Sequence, residues 1–184
     1  YFKLQLTKLI LEKYSLSNAD EVIIIYNFIR NYAKKMGAKK INLIYNKVDL
    51  SQFSPKIKSD NKESIPVIIC VGRLIKEKNQ ECLINAIKDL DVKLLLIGNG
   101  VEYNYLKKLV KSLDIENKVK FETSIQHEKI ASYYNKSDIF ALPIKYGGFA
   151  IPALEAAASG IPVILPRQEF DPNPDLIKDF ALLV

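Results

Sequence analysis

Two cations, Arg73 and Lys78, follow the short apolar run Val67-Ile68-Ile69-Cys70-Val71, with Gly72 at the turn. A guanidinium and an ammonium so placed suit an anion held between them. The plainer alternative is two solvated surface cations. Ile97-Gly98-Asn99-Gly100 closes a second apolar run; Gly98 and Gly100 read either as half of a glycine-rich nucleotide loop or as a tight turn. The third segment is longer. After Leu142 come Gly147, Gly148, Phe149 and Ala150, and then Pro152, which suits a first helical turn. Backbone amides at such a helix start attract phosphate or sugar hydroxyls. Glu155, one turn inside, is either an acceptor for a ribose diol or a solvated helix residue. A fourth segment, Leu165-Pro166-Arg167-Gln168-Glu169-Phe170-Asp171, is polar and has no legible chemistry. His127 is the one histidine. Lone histidines at helix starts are more often structural or exposed than catalytic, and no Ser-His-Asp or Cys-His set can be assembled.

Elements must hold these residues in place. Apolar, β-branched runs predict strands at 19–26, 41–45, 67–71, 93–97, 119–121, 139–142, 163–165 and 181–184. Amphipathic stretches predict helices from residue 2 onward and at 28–36, 80–90, 102–113, 128–135 and 152–159, with a further turn at 174–178. Gly37 is placed to end the second helix. Strand and helix alternate from residue 65, which means βαβ units and a parallel sheet. Such sheets bind ligands beyond the carboxyl ends of their strands. Arg73, Gly98 and Gly148 all follow strands. Residues 51–64, rich in Ser, Asp, Lys and Pro, read as a linker.

Composition narrows the function classes. The chain has 184 residues, 48% hydrophobic and 26% charged, which suits a globular protein. Its net charge is +6, all of it in residues 1–64, whereas residues 65–184 are neutral. A nucleic-acid-binding body should not be neutral, so that partner is not expected. Cys70 and Cys82 form no CxxC pair, and with a single histidine no metal site is expected. Paired structural disulfides are absent from the pattern, which fits a reducing, cytoplasmic setting. No apolar run is long enough to span a membrane. The chain begins at Tyr1 rather than Met, so it reads as a piece of a longer protein.

Taken in order, the motifs resemble the C-terminal, nucleotide-sugar-binding half of the retaining GT-B glycosyltransferases of the group 1, or family 4, type. The resemblance rests on Val71-Gly72-Arg73-Leu74 with Lys78-Asn79, and on Leu96-Ile97-Gly98-Asn99-Gly100. It continues through Ser137-Asp138-Ile139-Phe140-Ala141-Leu142-Pro143, Gly148-Phe149-Ala150-Ile151-Pro152-Ala153-Leu154-Glu155-Ala156 and Ser159-Gly160-Ile161-Pro162-Val163-Ile164. Ala19-Asp20-Glu21-Val22-Ile23 is similar to the last strand of the family's N-terminal domain. Asn46-Lys47-Val48-Asp49 and Phe53-Ser54-Pro55 resemble its interdomain segment.

The resemblance implies an α/β fold: a Rossmann-like parallel sheet with helices on both faces, plus a partial N-terminal remnant. Residues 1–50 would be the remnant of the acceptor domain, 51–64 the linker, and 65–184 the truncated donor domain. Arg73 and Lys78 would carry the catalytic charge by holding the donor diphosphate. Glu155 would bind the ribose hydroxyls. Gly148, Phe149 and Ala150 would offer amides to sugar and phosphate, and Gly98 and Gly100 would line the nucleotide. The implied activity moves a hexose, with retention, from a nucleotide diphosphate sugar to a sugar or lipid-linked acceptor in glycan synthesis, without a metal. Two departures keep alternatives open. The family has two glutamates separated by seven residues, but the first position here is Gly147; a nucleotide-binding module without turnover is therefore the second expectation. A sugar-nucleotide epimerase is the third, weakened by the single histidine. The basic first third fits either an anionic membrane surface near a lipid-linked acceptor or a solvated lysine-rich face. The excised chain is expected to be inactive alone, because the reaction needs a cleft between two domains.

Overall fold

The computed structural model describes residues 2–55, 65–145, 151–167 and 181–183. It divides into two compact units, the first ending at Lys47 and the second opening at Val48.

In the first unit, helix α1 (Phe2–Asn18) precedes strand β1 (Val22–Ile24), helix α2 (Ile29–Lys35) and strand β2 (Ile41–Leu43). β1 and β2 pair in parallel, Val22 opposite Ile41 and Ile24 opposite Leu43. The strand expected over 19–26 is cut to three residues because its partner strand is only that long. α2 ends in a Schellman turn: Ala38 N–H donates to the Ala33 carbonyl and Gly37 N–H to Lys34. Gly37 takes φ 95°, which glycine supplies without strain. Arg30 Nη1 donates to the Ile41 carbonyl and ties α2 to β2.

The second unit holds β3 (Val67–Val71), α3 (Gln80–Ile87), β4 (Lys93–Ile97), α4 (Tyr103–Ser112) and β5 (Val119–Glu122). It continues with α5 (His127–Lys136), β6 (Ile139–Ala141), α6 (Ile151–Ala158), β7 (Val163–Leu165) and β8 (Ala181–Leu183). All six strands pair in parallel, in the spatial order β5-β4-β3-β6-β7-β8. Continuous apolar runs such as Leu94-Leu95-Leu96 suit strands covered on both faces. Ile69, Leu94, Leu96, Phe140 and Val163 are buried, under Ile84 and Ile87 of α3, Leu106 and Val110 of α4, and Ile130 of α5. The chain leaves β3 towards β4 and β5, then returns to β6 on the other side of β3. Strand order reverses there, which is where a crevice opens at the carboxyl ends of such sheets.

Segment 48–55 packs as part of the second unit, with Phe53 only 2% exposed. The expected turn at 174–178 and residues 56–64 lie outside the described residues. Among the described residues, no helix is long and apolar enough to cross a membrane.

Candidate functional site

Arg73 and Lys78 stand at the carboxyl end of β3, on one side of the strand-order reversal. A single 3-10 turn, Lys76–Lys78, carries the lysine. The chain then turns sharply at Asn79, φ 58°, to enter α3. The Arg73 carbonyl accepts from Gln80 Nε2 at 3.0 Å, and Gln80 is buried. The arginine backbone is thereby pinned while its side chain stays exposed.

Lys78 is half-buried. Burial holds its ammonium below the ordinary lysine value, and the nearby Arg73 charge pushes it the same way. Neither cation has an ion pair among the described residues. Two like charges in mutual reach, one of them partly desolvated, are a cost that a bound anion would relieve. That argues against two independent solvated cations.

Gly98 and Gly100 lie where two loops meet closely. A Cβ on Gly98 would overlap the Gly72 carbonyl oxygen, and one on Gly100 would overlap the Leu74 carbonyl. The two loops are stitched backbone to backbone: Gly72 N–H to Ile97 O at 2.9 Å, Leu74 N–H to Asn99 O at 2.9 Å, Glu102 N–H to Leu74 O at 3.0 Å. The glycines let the loop after β4 lie against the loop that carries Arg73. These contacts help to hold the backbone that bears Arg73.

Glu155 is not a solvated helix residue. It is 5% exposed. Tyr134 Oη donates to Oε2 at 2.9 Å, and His127 Nε2 lies 3.3 Å from Oε1. Tyr134 is fully buried, edge to face with Phe53 at 6.0 Å and 6.2 Å from Phe140. Burial and the neighbouring Glu155 carboxylate push its phenol far above the usual range, so it stays a donor. His127 is held from behind: Gln52 Nε2 donates to its carbonyl at 2.9 Å, and its ring meets Phe53 at 5.9 Å.

The cation pair and the carboxylate share a neighbour. Cys70, the penultimate residue of β3, is buried and its thiol is pushed up to about 12 by desolvation. It lies within electrostatic reach of Lys78 and also of Tyr134. Helix α5, which carries Tyr134, packs against β3, and Arg73 and Lys78 follow that strand. A further tie comes from Lys145, whose N–H donates to the Glu77 carbonyl at 2.8 Å. It fastens the strand-end segment before residue 146 to the turn that carries Lys78. Gly148, Phe149 and Ala150 themselves lie outside the described residues.

Sequence reasoning missed Tyr134, Gln52 and Phe53, and gave His127 no partner. An open cavity of about 530 Å³ lies beside this region, lined by Lys76, Asn79, Glu81, Glu102, Tyr105 and Lys145. It does not include Arg73, Lys78 or Glu155.

Residues 52–182 match the sequence model of the glycosyl transferases group 1. A GDP-mannose-dependent alpha-(1-6)-phosphatidylinositol monomannoside mannosyltransferase of Mycolicibacterium smegmatis is 31% identical over 114 residues, 55% of this chain and 30% of that protein. Sucrose-phosphate synthase from Thermosynechococcus elongatus superposes with a TM-score of 0.81 at 29% identity, over 97% of this chain and 48% of that one. HepE from Anabaena, solved with UDP-glucose, superposes with a TM-score of 0.76 at 21% identity, over 96% of this chain and 54% of that one. The chain thus spans a third to a half of the length of these proteins.

Proposed function

Because the chain belongs to the glycosyl transferases group 1, we propose that it is the donor-binding part of an enzyme that moves a hexose from a nucleotide diphosphate sugar to a sugar or lipid-linked acceptor, with retention. The bond from the anomeric carbon to the diphosphate oxygen breaks. A bond from the same carbon to an acceptor oxygen forms on the same face, and the acceptor hydroxyl gives up its proton to the departing diphosphate or to solvent. The nucleoside diphosphate leaves with new negative charge. Arg73 and Lys78 are assigned to neutralise it, so that no metal is required of this site. Glu155 is assigned to the ribose hydroxyls, and Gly148, Phe149 and Ala150 to the sugar and phosphate. Gly98 and Gly100 border the nucleotide by holding the Arg73 loop.

The observation that carries this proposal is Lys78: partly desolvated, beside Arg73, and without an ion pair among the described residues. Names of similar proteins support the substrate classes. The mycobacterial relative uses GDP-mannose and a phosphatidylinositol monomannoside, and HepE was solved with UDP-glucose. In the same proposal residues 1–50 end an acceptor-binding domain, 51–64 connect the two, and 65–184 bind the donor. The setting is cytoplasmic, with the basic first third available to an anionic membrane surface.

Calorimetry with UDP-, GDP-, ADP- and dTDP-sugars tests it. One of them should bind, and Arg73→Ala should weaken that binding by about 1.5–3 kcal/mol, the range for a hydrogen bond to a charged group. Absence of affinity for every nucleoside diphosphate, with Arg73→Ala without effect, would sink the proposal.

A second reading has one specific residue behind it. Gly147 stands where the family's first glutamate is expected, which favours nucleotide binding without turnover. Donor hydrolysis or transfer by the longer protein would end that reading.

A further inference from the structure

The two oxygens of Glu155 are not equivalent. Oε2 accepts from a phenol that is fully buried and wedged between Phe53 and Phe140. Oε1 meets an imidazole whose side chain is 66% exposed, at the longer distance of 3.3 Å. One oxygen is therefore held by an interior donor and the other by the exposed His127 side chain, while the Glu155 side chain itself is 7% exposed. We infer that Tyr134 is a positioning residue: it holds Oε2 so that Oε1 is presented to the crevice as the acceptor for a vicinal ribose diol. The inference rests on the assignment of Glu155 to ribose given above.

Three physical points support it. A carboxylate buried without a donor is unstable, and Tyr134 supplies a donor that cannot ionise near neutral pH. The tyrosine ring is packed on two aromatic faces, so its hydroxyl has little freedom and fixes the carboxylate plane. The helix that carries Tyr134 also packs against β3, the strand that Arg73 and Lys78 follow.

Discrimination between ribose and 2′-deoxyribose gives the test, because merely loosening the core would weaken both ligands alike. Paired affinities are measured for UDP and 2′-deoxy-UDP, and for GDP and 2′-deoxy-GDP, on the full chain and its variants. The wild type should prefer the ribonucleotide by about tenfold or more, a single well-aligned hydrogen bond to a charged group. Glu155→Ala should abolish that preference. Tyr134→Phe keeps the ring and removes the donor, so it should also bring the ratio close to one, with little change in 2′-deoxy affinity. Replacing Tyr134 with 3,5-difluorotyrosine keeps the packing with a stronger donor and should retain or raise the ratio. It provides the second readout if Tyr134→Phe does not fold.

The outcomes separate. A ratio lost in Glu155→Ala but kept in Tyr134→Phe would overturn the role of Tyr134 and leave Glu155 in place. A ratio kept in Glu155→Ala, or absent in the wild type, would overturn the ribose assignment and this inference with it. A ratio lost in the difluorotyrosine protein would mean that packing, not the donor, is what matters.

Discussion

Lys78 shows best how one residue's environment becomes a measurable property. Its ammonium titrates below the ordinary lysine value because it is partly buried and faces Arg73. Between that lowered value and the ordinary one, the unfolded chain binds more protons than the folded chain. Stability should therefore rise with pH across that window, as the folded protein sheds a charge it holds at a cost. The ligand reverses this preference, since an anion needs the charge. Diphosphate affinity should fall on the alkaline side before an ordinary lysine would titrate. Lys78→Arg should remove that fall, and isothermal titration from pH 7 to 10 would read it. Lys78→Met should leave the unliganded protein at least as stable at neutral pH, in a denaturant titration, while weakening diphosphate binding. A clear loss of stability in Lys78→Met would mean that the lysine has a structural partner instead. The spacing of Arg73 and Lys78 was legible in the sequence. Their mutual repulsion was not, because it depends on how tightly Lys76–Lys78 folds and how deeply it is buried.

At the scale of elements, the site is an arrangement of loops held by their neighbours. Gly98 and Gly100 let the loop after β4 touch the backbone of residues 72–74. Gly98→Ala or Gly100→Ala forces a methyl into a carbonyl. Each should cost about 1–3 kcal/mol, with more where the backbone cannot shift. Thermal unfolding would show the loss, and nucleotide binding should weaken with it as Arg73 is displaced. Ile115→Ala is the control, since Ile115 is buried just after α4 and does not line the cavity beside the Lys76–Lys78 turn. It should cost about 2–5 kcal/mol with nucleotide affinity unchanged in the folded fraction. The Ser137-Asp138 pair belongs to the same scale: Asp138 Oδ2 accepts from Val67 N–H at 2.8 Å, fastening the entry of β6 to the start of β3. A motif quoted for its resemblance is thus a clasp across the strand-order reversal.

At the scale of the whole molecule, the family relation and the partial coverage set the expectation. The chain spans 30% of the mycobacterial relative and 48% of sucrose-phosphate synthase. Residues 1–184 should bind a nucleoside diphosphate, and no transfer should be detected from this chain alone in a radiolabelled-sugar assay. Turnover by residues 1–184 would show that the acceptor can be handled without a second complete domain.

Sequence alone determined the alternation of strand and helix, because a strand covered on both faces must be apolar throughout. It gave β3, β4 and β7 their bounds, and it placed Arg73, Gly98 and Glu155 just after strands or inside the helix that follows. The family was legible for the same reason: its motifs sit where backbone turns demand particular residues. Tertiary structure alone decided who touches Glu155. Tyr134 lies 21 residues and His127 28 residues away along the chain, and no local pattern pairs a helix tyrosine with a glutamate on the next helix but one strand. It also decided what surrounds Gly98 and Gly100, since only the folded loops reveal that the space a side chain would fill is already occupied by the backbone of residues 72–74.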